Sequence, residues 1–473
     1  MTVSPRDQDL AAILQTQKAA CLREGPLSIA TRIEWLDRLI AMMVDNKDAI
    51  TAAVTSDFGN RSREATLLAD VFSVVAGLKY AKENLAQWTE PVRHNGIFPD
   101  AEAWVEYQPL GVVGMISPWN FPFNLTFAPL AGIVAAGNRC MIKPSEFTPA
   151  SSALIAKMIA SAFDPSEITV ILGESAVASA FSALPFDHLL FTGSTAVGKH
   201  VMRAAAENLV PVTLELGGKS PVVVSTSASL GDVAARVMTI KTLNAGQICL
   251  APDYVLLPAG NEAEFVAAAS SAVATMFPSL KDNPDYTSIL NQRHYDRLQG
   301  YLDDARAKGA EIIVLNPANE DFSQQSAFRM PPTLVLNPGD DTKIMQEEIF
   351  GPLLPVRTYR GIDEAIAYVN DHPRPLALYY FGEDRAEERQ VIERTSSGGV
   401  TLNDVMTHAF SEELPFGGVG PSGTGAYHGK AGFQTFSHAR SIYRQSKTIE
   451  AEYMLRPPYG EPMRQFLDAA ITK

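Results

Sequence analysis

The feature that most restricts the fold of this 473-residue chain is a series of short apolar runs separated by stretches of helical periodicity. Val112–Ile116 is followed by a Pro-Trp-Asn-Phe-Pro loop, a helical stretch to Ala136 and a second apolar run at 140–142. Further runs stand at 169–172, His188–Thr192 and 212–216, each bridged by a segment of helix length. Strand, helix, strand alternation of this kind predicts an open parallel sheet with helices on both faces. A second series begins near Pro221, with strands expected at 253–257 and 311–315 and helices at 264–276 and 295–308. The Gly217-Gly218 turn divides the two series. Ahead of them, Ile33, Leu36, Leu39, Ile40 and Met43 recur at helical spacing, so the first hundred residues are expected to be mainly helical.

The length exceeds what one hydrophobic core fills, and 46% hydrophobic residues supply material for at least two. A net charge of −14 with no long basic run argues against nucleic acid or an anionic membrane as partner. Three cysteines at distant positions, Cys21, Cys140 and Cys249, suggest neither a disulfide framework nor a metal site, and fit a reducing cytoplasm. The amino terminus lacks the basic-then-apolar pattern of a signal peptide, and the carboxyl end lacks an apolar anchor. The most apolar stretch, 125–142, is broken by Pro129, Gly132, Gly137, Asn138 and Arg139, so no membrane span is expected.

Ligands of open α/β sheets gather at the carboxyl ends of strands. Three such ends carry unusual residues: Trp119 and Asn120, then Lys143 with Glu146, then Gly193, Ser194 and Gly198 in Gly-Ser-Thr-Ala-Val-Gly. Taken alone, the Gly-Ser-Thr turn reads as an ordinary helix N-cap, and Lys-Pro-Ser-Glu as a solvated helix start. The alternative readings are backbone N–H groups facing a pyrophosphate and a lysine bonding ribose hydroxyls. No strand is followed by Gly-x-Gly-x-x-Gly, so dinucleotide binding would be of a variant type.

Cys249 follows Gly246 and Gln247, which points to a tight loop with N–H groups near the sulfur; Cys140, in Arg-Cys-Met-Ile, reads as core. Glu215 sits between Leu214 and Leu216 at a strand end, where burial would raise its pKa and suit it to general-base work. Asn120, otherwise a turn residue, can donate to a developing oxyanion.

The set Pro-Trp-Asn-Phe-Pro (118–122), Lys-Pro-Ser-Glu (143–146), Phe-Thr-Gly-Ser-Thr (191–195), Leu-Glu-Leu-Gly-Gly-Lys-Ser-Pro (214–221), Gly-Gln-Ile-Cys (246–249), Glu-Glu-Ile-Phe-Gly-Pro (347–352) and Leu-Pro-Phe-Gly-Gly-Val-Gly (414–420) resembles the NAD(P)-dependent aldehyde dehydrogenase superfamily. Ala-Pro-Asp-Tyr (251–254) and Gly-Ala-Tyr-His-Gly-Lys (425–430) resemble its dimeric class-three branch. Asp-Phe-Gly-Asn-Arg-Ser-Arg-Glu (57–64) and Asn-Pro-Asp-Tyr-Thr-Ser-Ile (283–289) are similar to bacterial coniferyl aldehyde dehydrogenases. One departure is Arg329-Met330-Pro331 ahead of Pro332-Thr-Leu, where a Phe-Phe pair is often found.

The resemblance implies an α/β fold with a variant Rossmann cofactor-binding domain (1–216, including an oligomerisation hairpin near 95–110), an α/β catalytic domain (217–415) and a C-terminal return and oligomerisation segment (416–473). It implies Cys249 as nucleophile, Glu215 as base, and Asn120 with the Cys249 N–H as oxyanion donors. Trp119, Lys143, Glu146, Gly193, Ser194, Gly198, Glu348 and Phe350 would bind the cofactor, and Phe121 and Ile248 would line the substrate pocket. NAD is expected over NADP, because Glu146 would repel a 2′-phosphate. The expected substrate is an aromatic or apolar aldehyde, coniferaldehyde first, with a medium-chain aliphatic aldehyde or a nicotinamide-independent thiol esterase as alternatives. A cytoplasmic homodimer is expected, with 433–443 packing as an edge strand on a second subunit.

Overall fold

The computed structural model describes residues 10–96, 100–323, 325, 327–447 and 457–472. Five α-helices and one π-helical turn between Leu10 and Trp88 open the chain; of the residues read at helical spacing, Leu36, Leu39 and Met43 are buried and Ile33 and Ile40 half-buried. Sixteen strands follow among the described residues: β1 (Val92–Asn95), β2 (Glu102–Pro109), β3 (Val112–Ile116), β4 (Arg139–Lys143), β5 (Ile168–Val170), β6 (His188–Thr192), β7 (Val212–Glu215), β8 (Pro221–Val224), β9 (Tyr254–Pro258), β10 (Glu311–Val314), β11 (Thr333–Leu336), β12 (Leu353–Tyr359), β13 (Ala377–Phe381), β14 (Gly399–Leu402), β15 (Gly423–Thr424) and β16 (Ser437–Arg444).

They form three sheets. The first has the order β15-β7-β6-β3-β4-β5 and is parallel except for β15. The second has the order β10-β11-β12-β9-β8-β13-β14 and is parallel except for β10. The third is an antiparallel β1-β2-β16 sheet. Strands β3, β4, β6, β8 and β9 are buried along their whole length, as expected of strands covered on both faces.

The strand at 311–315 is present but antiparallel, at the edge of its sheet, where it needs no crossover helix. The stretch 433–443 divides: Phe433 is a buried helix residue, and β16 pairs over eight residues with β2 of its own chain. The hairpin expected near 95–110 is β1 with β2; residues 97–99 of it lie outside the described residues. Residues 448–456 of the expected C-terminal segment also lie outside them. Among the described residues no helix is long and apolar enough to cross a membrane.

Candidate active site

Four neighbouring strands of the first sheet, β7, β6, β3 and β4, bring their carboxyl ends side by side. Beyond β3 the chain turns into Trp119 and Asn120; beyond β4 stand Pro144 and Glu146; β6 runs into Gly193; β7 ends on Glu215. Residues scattered over a hundred positions therefore meet because the topology is parallel. Gly217 and Gly218 then carry the chain into the second sheet, and the loop before β9 supplies Cys249.

Glu215 is 2% exposed, and neither oxygen of its carboxylate has a hydrogen-bond partner among the described residues. Its backbone is fixed on both sides, since its carbonyl accepts the Gly193 N–H at 3.0 Å and β15 pairs Gly423 with it. Burial, reinforced by the Glu348 carboxylate, pushes its pKa well above the ordinary 4.5.

Cys249 is half-buried and follows three consecutive residues at positive φ: Asn244 (49°), Ala245 (50°) and Gly246 (70°). The left-handed conformation costs a residue with a Cβ about 1–2 kcal/mol. The fully buried Gln247 holds the turn. Its Nε2 donates to the carbonyls of Asn244 (2.9 Å) and Ser288 (3.1 Å), and its Oε1 accepts from Leu290 N–H (3.0 Å). The Leu250 carbonyl accepts the Tyr379 hydroxyl at 2.6 Å. Burial first, then the Glu215 and Glu348 carboxylates, raise the Cys249 pKa well above 9.0, while hydrogen bonds from the Leu250 and Cys249 N–H groups act the other way. The N–H groups expected near the sulfur are there, yet desolvation and the two neighbouring carboxyl groups outweigh them, which favours the thiol.

Asn120 (3% exposed) donates through Nδ2 to the Gln247 carbonyl at 3.2 Å, which places its amide against the Cys249 loop. Phe121 lies with its ring 4.5 Å from the Arg61 guanidinium, and Ile248 is buried.

Glu348 is half-buried, its Oε1 buried and without a partner among the described residues, and burial, with Asp253 as second cause, raises its pKa to about 8. A Cβ on Gly217 would collide with this carboxylate. Trp119 meets the edge of Phe350 at 5.2 Å between ring centroids. Lys143 is 1% exposed; its Nζ donates to the Pro144 carbonyl at 2.7 Å and stands 3.5 Å from Glu146. At the start of the helix Thr195–Ala206 the N-cap geometry is realised: Ser194 Oγ accepts from Val197 N–H at 3.4 Å. A Cβ on Gly198 would stand 2.6 Å from Leu216 Cδ2, so glycine lets this helix settle against the end of β7.

Several participants escaped sequence reading. The His294 ring lies 4.9 Å from that of Trp119, with Nδ1 buried and without a partner among the described residues. Arg297 Nη1 donates to the Ile349 carbonyl at 2.8 Å, between Glu348 and Phe350. Tyr427 is buried, its hydroxyl without a partner among the described residues, and burial together with Glu215 and Cys249 raises its pKa well above 10. Its motif, Gly-Ala-Tyr-His-Gly-Lys, was the available signal.

A largely parallel α/β architecture that brings a half-buried thiol together with the buried Glu215 carboxyl and the half-buried Glu348 is that of a thiol-dependent oxidoreductase class. Residues 5–442 match the model of the aldehyde dehydrogenase family, and the chain belongs to this NAD(P)-dependent family. It is 59% identical over 468 residues to a probable coniferyl aldehyde dehydrogenase of Caulobacter vibrioides, covering 98% of this chain and 96% of that one. It is 57% identical over 465 residues to the coniferyl aldehyde dehydrogenase of a Pseudomonas species, covering 98% and 97%. Among solved structures, the substrate-bound AldH of Staphylococcus aureus superposes with a TM-score of 0.91 at 36% identity, covering 98% of this chain and all of that one.

Proposed function

We propose that this enzyme oxidises coniferaldehyde to ferulate with NAD as acceptor. The observation that carries the reading is Cys249 placed in electrostatic reach of a buried Glu215 whose two carboxylate oxygens are both unbonded, beside the Asn120 amide. The names borne by the two bacterial relatives support the substrate.

The residues present fit a dinucleotide. Glu348 offers a buried, unpartnered oxygen to a ribose hydroxyl. The Lys143–Glu146 pair offers a donor and an acceptor at the next strand ends. Gly193, Ser194 and Gly198 set a helix N-terminus where a pyrophosphate is favoured. Trp119 and Phe350 supply flat apolar walls. Glu146 disfavours a 2′-phosphate, hence NAD over NADP.

Cys249 loses its proton to solvent, directly or by way of Glu215, which is left ionised, and its sulfur adds to the aldehyde carbon. The new oxyanion is met by the Asn120 amide and the Cys249 N–H. NAD held by Glu348 and the Lys143–Glu146 pair would supply the acceptor for the hydride that leaves this carbon, and the carbon remains bound to sulfur as a thioester. Glu215 then takes a proton from water, the water oxygen attacks the thioester carbon, and ferulate leaves as the sulfur regains a proton. A base with a raised pKa suits this work near neutral pH, because it accepts a proton readily once ionised. Phe121 and Ile248 wall the ring of the substrate. The β1-β2-β16 sheet serves as the subunit contact of a homodimer, and three free cysteines suit a cytoplasmic enzyme.

The test is a panel of coniferaldehyde and a medium-chain alkanal with NAD and NADP, followed by NADH absorbance and chromatography of the acid. Ferulate formed in step with NADH is the expected result. Ester hydrolysis without nicotinamide, and no aldehyde oxidation, would overturn the reading.

A further inference from the structure

The motif Asp-Phe-Gly-Asn-Arg-Ser-Arg-Glu is used by none of the roles above, yet its Arg61 reaches the site. Arg61 is 2% exposed and Asp70 is fully buried, and Arg61 Nη2 pairs with Asp70 Oδ2 at 2.9 Å. The other amino group of the guanidinium, Nη1, donates to the backbone carbonyl of Asn120 at 2.8 Å. The second Asp70 oxygen accepts the N–H groups of Phe123 (3.2 Å) and Asn124 (3.0 Å), just beyond the same loop. The guanidinium also lies 4.5 Å from the centroid of the Phe121 ring and 5.3 Å from that of Phe58.

Asp70 sits in a π-helical turn, Leu67–Phe72, which interrupts otherwise α-helical chain from Arg63 to Trp88. Such turns carry a local cost and concentrate at functional positions. A buried ion pair is weak evidence for stability, because desolvating both charges offsets much of their attraction. What this pair does hold is the Asn120 segment, from both sides. Asn244 Nδ2 adds a further bond to the Asn120 carbonyl at 3.1 Å, tying the same atom to the turn ahead of Cys249.

We infer that Arg61 and Asp70 are positioning residues that aim the Asn120 amide at the carbonyl oxygen of the bound aldehyde. The inference rests on the reading of Asn120 as an oxyanion donor. Oxyanion donors are effective only when pre-aimed, and displacement by a fraction of an ångström removes much of their worth.

The test separates aim from fold by using two reactions of the same sulfur. Oxidation of coniferaldehyde develops charge on oxygen; alkylation by iodoacetamide forms a C–S bond as iodide leaves and develops none. In Arg61→Lys and in Asp70→Asn, which keeps an acceptor for Phe123 and Asn124, the first-turnover NADH rate is expected to fall about 10- to 100-fold, less than or equal to the loss from removing the donor itself. Alkylation rate and NAD affinity are expected to stay within about twofold of the parent. In an Asn120→Ala background, Arg61→Lys is expected to cost nothing further in NADH rate, because its target is gone. Parallel losses of oxidation and alkylation, additivity in the double variant, or failure of both single variants to fold would overturn the inference. If Asn120→Ala itself oxidises at the parent rate, the oxyanion assignment is wrong instead.

Discussion

Replacing Glu348 by glutamine offers a direct measure of what the site costs the fold. Glu348 holds its proton up to about pH 8 in the folded chain, against 4.5 for an ordinary glutamate. Between those values an unfolded chain has released a proton that the folded chain retains. The unfolded state therefore binds fewer protons, and stability falls as pH rises through this window. At about 1.4 kcal/mol for each unit of displacement, the full effect is roughly 4–5 kcal/mol, reached near pH 8 and constant above it. Glutamine keeps an acceptor for the Gly218 N–H that now contacts the carboxylate, and it carries no charge against Asp253 or Glu215. Apparent unfolding temperatures of parent and Glu348→Gln, measured without nucleotide at fixed scan rate and protein concentration, should coincide near pH 5. They should diverge in favour of the uncharged variant as pH approaches 8. Curves that stay parallel from pH 5 to 9 would refute the argument, since they would mean the carboxylate is solvated or its charge compensated. The same variant should bind NAD more weakly, so stability and function move in opposite directions.

Further outcomes follow from the same geometry. Cys249→Ala should abolish aldehyde oxidation while retaining NAD binding by calorimetry; substantial turnover would mean the nucleophile lies elsewhere. Glu215→Gln should give a rapid burst of at most one NADH per subunit and then stall, with steady-state turnover about 10²–10⁴-fold lower and an acyl adduct on Cys249 by mass spectrometry. The same substitution removes a carboxyl that, once ionised, opposes ionisation of the sulfur, so iodoacetamide should alkylate the variant faster than the parent at alkaline pH. Gly246→Ala should lower both folded yield and activity, because a Cβ there would collide with the Gly351 carbonyl and the residue sits at φ 70°; parent-like circular dichroism melting and turnover would contradict this.

Much of this molecule was legible from local pattern. Val112–Ile116 and His188–Thr192 were readable because each short apolar run is bounded by turn-forming residues, Gly111 and Ser117 in the first case and Asp187 and Gly193 in the second. Glu215 was legible as buried because its neighbours Leu214 and Leu216 are apolar. The antiparallel placement of β10 was not, since nothing in an apolar run of four residues records the direction of its partner. The pairing of β16 with β2, more than three hundred positions away, was equally hidden. Arg61 and Asp70 stood in plain view as one basic and one acidic residue; only the tertiary fold reveals that both are dry and share the Asn120 loop.

The structure adds most to the sequence reading at the sulfur. Sequence context points to N–H groups near Cys249, and they are present. Yet Cys249 shares its surroundings with Glu215 and Glu348, and each of these three groups makes ionisation of the others harder. At most one of them carries charge easily in this resting arrangement. That constraint has a use. A protonated thiol resists oxidation and stray alkylation, whereas a positive charge brought close to the sulfur would favour the thiolate. Reactivity of Cys249 should thus rise when NAD binds and fall when NADH replaces it, because only the oxidised nicotinamide ring is cationic. The same reasoning orders the carboxylates: a proton leaving Cys249 has Glu215 as an unbonded, already basic acceptor, which must release it before serving the hydrolytic water. Alkylation rates of the free enzyme, the NAD complex and the NADH complex would test the sequence of charges, and equal rates in all three would remove the electrostatic account of how the thiol is switched on.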